Sequence, residues 1–259
     1  MDVSVPKYIE TRIRQRQPDS SPVVPGSTPV VAFGDVRKAE AATLGLNPSK
    51  LEFLDGVGRE LTGAKQRLQT LSSLGESDLS SASRDSIRKV FEGCNGYFRG
   101  WPYRRWFDVL EKILLTLGAT YYTGTACHLD LVQWATDPTW GKLRGAQKKC
   151  LIEADHSFLR EQLSHEHIRL LLLNGSGVVK AYSKGLGCEL TEKFIPGRIG
   201  WKHFVGCTSQ GVRVIGWNKN LQGSHGVSKD DIEMLVMSIK NARSETNPSR
   251  GEITKLLSQ

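Results

Sequence analysis

The chain has 259 residues, 39% of them apolar and 24% charged, enough to bury one sizeable core in an ordinary water-compatible fold. It holds no run of ~18 apolar residues that would span a membrane, and its N-terminus lacks the apolar stretch of a secretory leader, so the expected compartment is the cytoplasm, near the nucleoid. The 35 Lys and Arg outweigh 27 Asp and Glu, leaving +8, and that surplus favours a polyanionic partner through counterion release.

Residues 1–29 carry Arg12, Arg14 and Arg16, then PDSSPVVPGSTP. So many prolines beside few large apolar groups predict a flexible basic arm, a tail or docked segment that could touch phosphate. Residues 30–259 read as a single domain without internal repeats. VVAF and AATLGL predict two strands split by the turn-like GDVRK. Leu61, Ala64, Leu68 and Leu71 fall at helical spacing, as do Trp106, Leu110, Ile113, Leu114 and Leu117. The β-prone ATYYTGTACHLDLV follows, then a helix expected to bury Ala146, Cys150, Ala154 and Phe158. LLLL at 170–173 reads as a fully buried strand, and HFVGCTSQGVRVIGW as a hairpin turning at Ser209-Gln210-Gly211. Ser228 and Asp231 predict a capping box for a last helix that buries Ile232, Leu235, Val236 and Ile239. This alternation predicts an α/β fold: a three-layer α/β/α sandwich with a mainly parallel central sheet.

The five cysteines (Cys94, Cys127, Cys150, Cys188 and Cys207) are scattered without a CxxC pair and read as reduced thiols. His156, His165 and His167 lack HExxH spacing and read as helix-surface residues. Neither metal nor cofactor is expected.

Ligands of open parallel sheets bind beyond the carboxyl ends of the strands. There the sequence places Asn47-Pro48-Ser49, His128-Leu129-Asp130, Asn174-Gly175-Ser176-Gly177 and Asn218-Lys219-Asn220. Four polar segments rich in amides suit a neutral heterocycle held by hydrogen bonds.

The segment Gly45 to Ser49, GLNPS, resembles the first catalytic motif of the uracil-DNA glycosylase superfamily, nearest the mismatch-specific and single-strand-selective branches with GxNPG. The final Gly is Ser49 here. The order of features is similar over roughly residues 30–243, although only GLNPS is a sharp match. The resemblance implies a uracil-DNA-glycosylase-like fold and an Asn47 that orients water beneath the sugar. The alternative is a plain Asn-Pro turn after a strand. Cleaving an N-glycosidic bond develops positive charge on the sugar and negative charge on the base, so the enzyme must place water and stabilise both.

The loop NKNLQGSHGVS from Asn218 lies where that superfamily carries HPSPLS, and it departs from that pattern. Asn218, Asn220 or the later His225 are the candidates for the histidine that donates to the base. Leu221 is the candidate wedge for the vacated stack and Ser224 a candidate phosphate contact. ACHLDLVQWATDP is similar to the superfamily's mid-chain recognition stretch. Its His128 and Asp130 alternate with apolar neighbours and share one strand face. Asp130 would accept from an exocyclic amine, which hints at a cytosine-like base; an Asp–His pair is the structural alternative. Phe53, six residues after Asn47, sits where relatives stack an aromatic on the flipped base, with a core role competing. Asn174 joins the base-binding candidates.

Tyr97, Phe98, Arg99, Trp101, Tyr103, Arg104, Arg105, Trp106 and Phe107 crowd into eleven positions. Interleaved rings and arginines suit stacking on bases and pairing with phosphate. Phe98, Arg99, Tyr103 and Arg104 are the candidate DNA contacts; Trp106 begins an apolar stripe.

In the strict uracil branch of that superfamily a bulky residue beside the motif blocks C5, so the resemblance implies that small Ser49 leaves room at the C5 position of a pyrimidine. The expected function is therefore a monofunctional glycosylase that excises a modified, C5-substituted pyrimidine from DNA, such as the hydroxymethylated or glucosylated bases of phages, in antiviral defence. Uracil or mismatch repair is the alternative, as is a catalytically silent nucleic-acid-binding module of the same fold. The expected partner is DNA, single- or double-stranded, with no membrane.

Overall fold

A computed structural model of the chain describes residues 4–18, 21–186, 188–195, 199–223 and 227–245. Its strands are β1 (Ala41–Gly45), β2 (Ala126–Asp130), β3 (Leu170–Asn174), β4 (Thr191–Phe194), β5 (Lys202–Cys207) and β6 (Arg213–Trp217). Its α-helices are α1 (Lys7–Arg14), α2 (Leu71–Leu74), α3 (Arg84–Asn95), α4 (Arg104–Thr116), α5 (Gly145–His165), α6 (Ser176–Leu186) and α7 (Lys229–Glu245). Together they form an α/β sandwich around one sheet in the order β2-β1-β3-β6-β5-β4.

Pairs β1–β2, β1–β3 and β3–β6 are parallel, while β5 runs against both β6 and β4. Strands buried on both faces can be apolar throughout. That is why Leu170 to Leu173, all buried, sit at the centre, each such leucine contributing about 1.5–3 kcal/mol. The β5–β6 hairpin turns through Gly211, whose φ of 83° favours glycine. At α7, Ser228 Oγ accepts from Asp231 N at 3.2 Å while Asp231 accepts from Ser228 N at 2.8 Å, the expected reciprocal cap. No helix among the described residues is long and apolar enough to cross a membrane.

Four local expectations need correction. Residues 30–33 are buried but not a strand; Phe33 makes only an isolated bridge to His128. The set Leu61, Ala64, Leu68 and Leu71 does not share a helix: a 3-10 turn covers Gly63–Lys65, and α2 is one turn capped by Thr70 and stopped by Gly75 at φ 69°. In α5 the buried face is Leu151, Asp155, Phe158, Leu159, Gln162 and Leu163, whereas Ala146, Cys150 and Ala154 are exposed. The small residues had suggested a packing face, but the larger side chains remove more apolar area from water and take the core.

The N-terminal arm also contains a packed helix. In α1, Ile9 and Ile13 are fully buried, and Arg12 reaches Asp155 of α5 at 2.8 Å. Arg12 Nε donates to Gln133 Oε1 at 3.0 Å, and Gln133 N donates to Asp155 Oδ2 at 2.8 Å. Two isoleucines and one ion pair hold a segment that its prolines alone would leave loose. Helix α3, absent from the sequence reading, is capped by Ser83 and buries Ile87, Val90, Phe91 and Cys94.

Candidate active site

The parallel strands β1 and β2 end side by side, with Gly45 in register with Asp130. Beyond their carboxyl ends lies a cavity of about 220 Å³. Asn47, Ser49, Glu52, His128, Asp130 and Thr136 supply its polar lining, and Phe33, Trp106, Phe107 and Trp140 its aromatic walls.

Asn47 is held by its nitrogen. Nδ2 faces Pro48 O at 3.0 Å, Trp134 O at 3.2 Å and Thr136 Oγ1 at 3.1 Å. Three acceptors fix which end of the amide points inward to them, because an oxygen there would face oxygen. Oδ1 is left without a protein donor among the described residues and remains free to accept from water or ligand. Trp134 and Thr136 belong to the loop that Gln133 ties to Arg12 and Asp155, so α1 reaches the site through that loop.

Ser49 follows the turn, and its side chain accepts from Leu51 N at 3.2 Å to start a 3-10 helix at Lys50–Glu52. The helix carries Glu52 inward, where it is 2% exposed. Tyr97 donates its hydroxyl to Glu52 Oε2 at 2.6 Å and accepts from Tyr103 N at 2.9 Å. Burial pushes the Glu52 carboxyl up to about 7, opposed by the Tyr97 hydrogen bond and Arg67 and reinforced by Asp130. Burial, with Glu52 beside it, pushes the Tyr97 phenol up, so it stays a donor.

His128 and Asp130 occupy the floor. Thr43 Oγ1 bonds His128 Nδ1 at 2.6 Å and also meets the Tyr121 hydroxyl, fixing the ring. His128 Nε2 stands 3.5 Å from Asp130 Oδ1. Neither Asp130 oxygen has a hydrogen-bond partner although the residue is only 5% exposed. Both oxygens therefore have acceptor capacity that no protein donor among the described residues takes up. Gly45 makes room: a Cβ there would lie 2.4 Å from Asp130 Oδ1 and 2.9 Å from His128 Nε2.

Of the sequence candidates, Asn47, His128 and Asp130 thus come together. Others do not. Phe53 is 2% exposed and part of the core, outside the cavity lining. Phe98 is buried and stacks on Tyr121 at 4.6 Å, so it supports the floor from below instead of meeting DNA. Asn218 is tied to backbone, donating to Gly200 O at 2.8 Å and accepting from Lys202 N at 3.0 Å. Asn174 accepts from Trp217 Nε1 at 3.0 Å and Leu221 N at 3.2 Å, and donates to Asn220 and Gln222. Asn220 and Asn174 therefore fasten the β6 loop to β3, away from the cavity. Leu221, the expected wedge, is 6% exposed and packed in the core. Ser224 and His225 lie outside the described residues.

Arg99 and Arg104 are exposed, and Arg104 lies 5.0 Å over the Tyr122 ring. Tyr103 is half-buried, with Arg67 5.5 Å over it. Exposed Arg105 adjoins the wall residue Trp106, exposed Lys142 adjoins Gly141 at the mouth, and Lys50 pairs with Asp137 at 3.0 Å. Glu52 was missed in the sequence; its signal was one acid enclosed by apolar Leu51, Phe53 and Leu54. Trp140 and Phe33 carried no signal, since only chain folding brings them to the rim. Among the described residues, no three His, Cys, Asp or Glu side chains gather where an ion could be held. Set beside known protein families and curated proteins, the chain matches no family model and no curated protein.

Proposed function

We propose that this chain is a DNA glycosylase that flips a modified pyrimidine into the cavity and hydrolyses its bond to the sugar. The observation that carries this reading is the Asn47 amide, clamped through Nδ2 with Oδ1 left as an acceptor at an aromatic-walled pocket. Such an oxygen can hold a water in one orientation, and prepaid orientation is a large part of catalysis.

The remaining features agree with it. A cavity of about 220 Å³ falls below the ~300–1,000 Å³ of drug-sized sites, so it suits one ring, with any bulky C5 substituent left at the mouth. Aromatic walls replace the stacking that a flipped base gives up. The net charge of +8 suits a phosphate backbone. Asp130, with two unmatched acceptor oxygens, favours a base bearing an exocyclic amine over uracil. A C5-substituted cytosine of phage DNA is the substrate that meets these conditions together.

A silent binding module is the second reading, favoured by the buried Leu221 and by Asn218, whose amide is engaged with the backbone of Gly200 and Lys202. One experiment separates them: oligonucleotides bearing uracil, 5-hydroxymethyluracil or glucosylated hydroxymethylcytosine are incubated with the protein and treated with alkali. Strand breaks on the modified cytosine are expected. Their absence on every substrate removes the enzyme and leaves the binder.

A further inference from the structure

Glu52 and Asp130 face the same small cavity, and both are more than nine-tenths buried. Asp130 has no hydrogen-bond partner for either oxygen. Glu52 has one, Tyr97, on Oε2, and no described protein group donates to Oε1. Burial, helped by the nearby Asp130 carboxylate, raises the proton affinity of Glu52. The groups around Glu52 are Tyr97, Arg67 and Asp130, with His128 beyond Asp130 and Lys50 at the start of the same turn. Arg67 is occupied in part by Leu51 O at 2.5 Å and Trp101 O at 3.2 Å.

Resting on the excision reading, we infer that Glu52 is the general acid that protonates the departing base, while Asn47 only positions water. A cytosine-type base is a poor leaving group as an anion, and a proton on its ring nitrogen or carbonyl removes that difficulty. The bond from the ring nitrogen to sugar C1′ breaks, and its electron pair goes to the base. Glu52 gives its proton to the base in the same event. Water at Asn47 bonds to C1′ and sheds a proton to solvent; after the base departs, Glu52 takes one back. The sum is hydrolysis, with water consumed and a free base and abasic sugar formed. Such a role explains why an acid is kept in a place that raises its proton affinity.

The test is single-turnover base release against pH for the wild type, Glu52→Gln and Tyr97→Phe, beside an infrared titration of the carboxyl bands. Glu52→Gln keeps an oxygen to accept from Tyr97, so folding is preserved. Wild-type release is expected to fall as pH rises through about 7. Glu52→Gln should be slower by ~10²–10⁴-fold and lose that limb. Tyr97→Phe, lacking the bond that favours the Glu52 charge, should move the limb upward, which a purely structural role would not do. The infrared carboxylic-acid band near neutral pH should vanish in Glu52→Gln. A Glu52→Gln protein with the wild-type limb, or a wild type without that band, overturns the inference while leaving excision intact. A wild type that releases no base overturns excision itself, and this role with it.

Discussion

The carboxyl edge of the sheet holds two polar clusters that look alike in sequence and differ in what they leave unbonded. At the ends of β3 and β6, Asn174, Asn220 and Gln222 bond to one another and Asn218 to backbone, so that one donor, Gln222 Nε2, is left without a partner there among the described residues. At the ends of β1 and β2, Asn47 presents a free oxygen and Asp130 two. Amides at strand ends are therefore no guide to a site by themselves. Unmatched acceptors gathered at one cavity are the better guide, since single unmatched atoms also occur elsewhere, at Gln222 and Trp134 among others.

The sharpest way to break the comparison is Asn47→Ala. Base release should drop by ~10²–10⁴-fold with DNA affinity retained, as expected for an orienting group. Equal loss of binding and turnover would place Asn47 with the structural amides instead.

Arg12→Ala tests the scaffold behind the open cluster. Removing one partner from the buried Arg12–Asp155 pair should destabilise the protein by about 3–5 kcal/mol in urea unfolding. A near-zero change would detach α1 from the loop that positions Asn47.

Glu52 should make stability depend on pH. Its folded value of about 7 exceeds the ordinary 4.5, so the folded state holds a proton that the unfolded chain releases earlier. That stability is fully present below about 4.5 and is lost as pH rises through about 7. Unfolding at pH 5 and pH 8 should differ by about 3 kcal/mol from this group, and the difference should shrink in Glu52→Gln.

The smallest effect belongs to the cluster at β3 and β6. Asn218→Ala should lose about 1 kcal/mol, since water can reach Gly200 O and only Lys202 N is partly buried. Base release per folded molecule should stay unchanged; a large loss would return Asn218 to the site.

The fold class, the buried strand of leucines, the β5–β6 hairpin and the cap of α7 were legible in the sequence. Each depends on local periodicity or on hydrogen bonds within a few residues. GLNPS likewise located Asn47, and alternation along β2 put His128 and Asp130 on one face. Folding alone decided that Phe53, Phe98 and Leu221 are core, that Glu52 turns inward, and that α1 docks through Arg12. Whether a polar group is satisfied depends on partners tens of residues away, as Asn47 on Trp134 and Thr136. Burial follows from packing against the whole sheet. Periodicity carries no record of either.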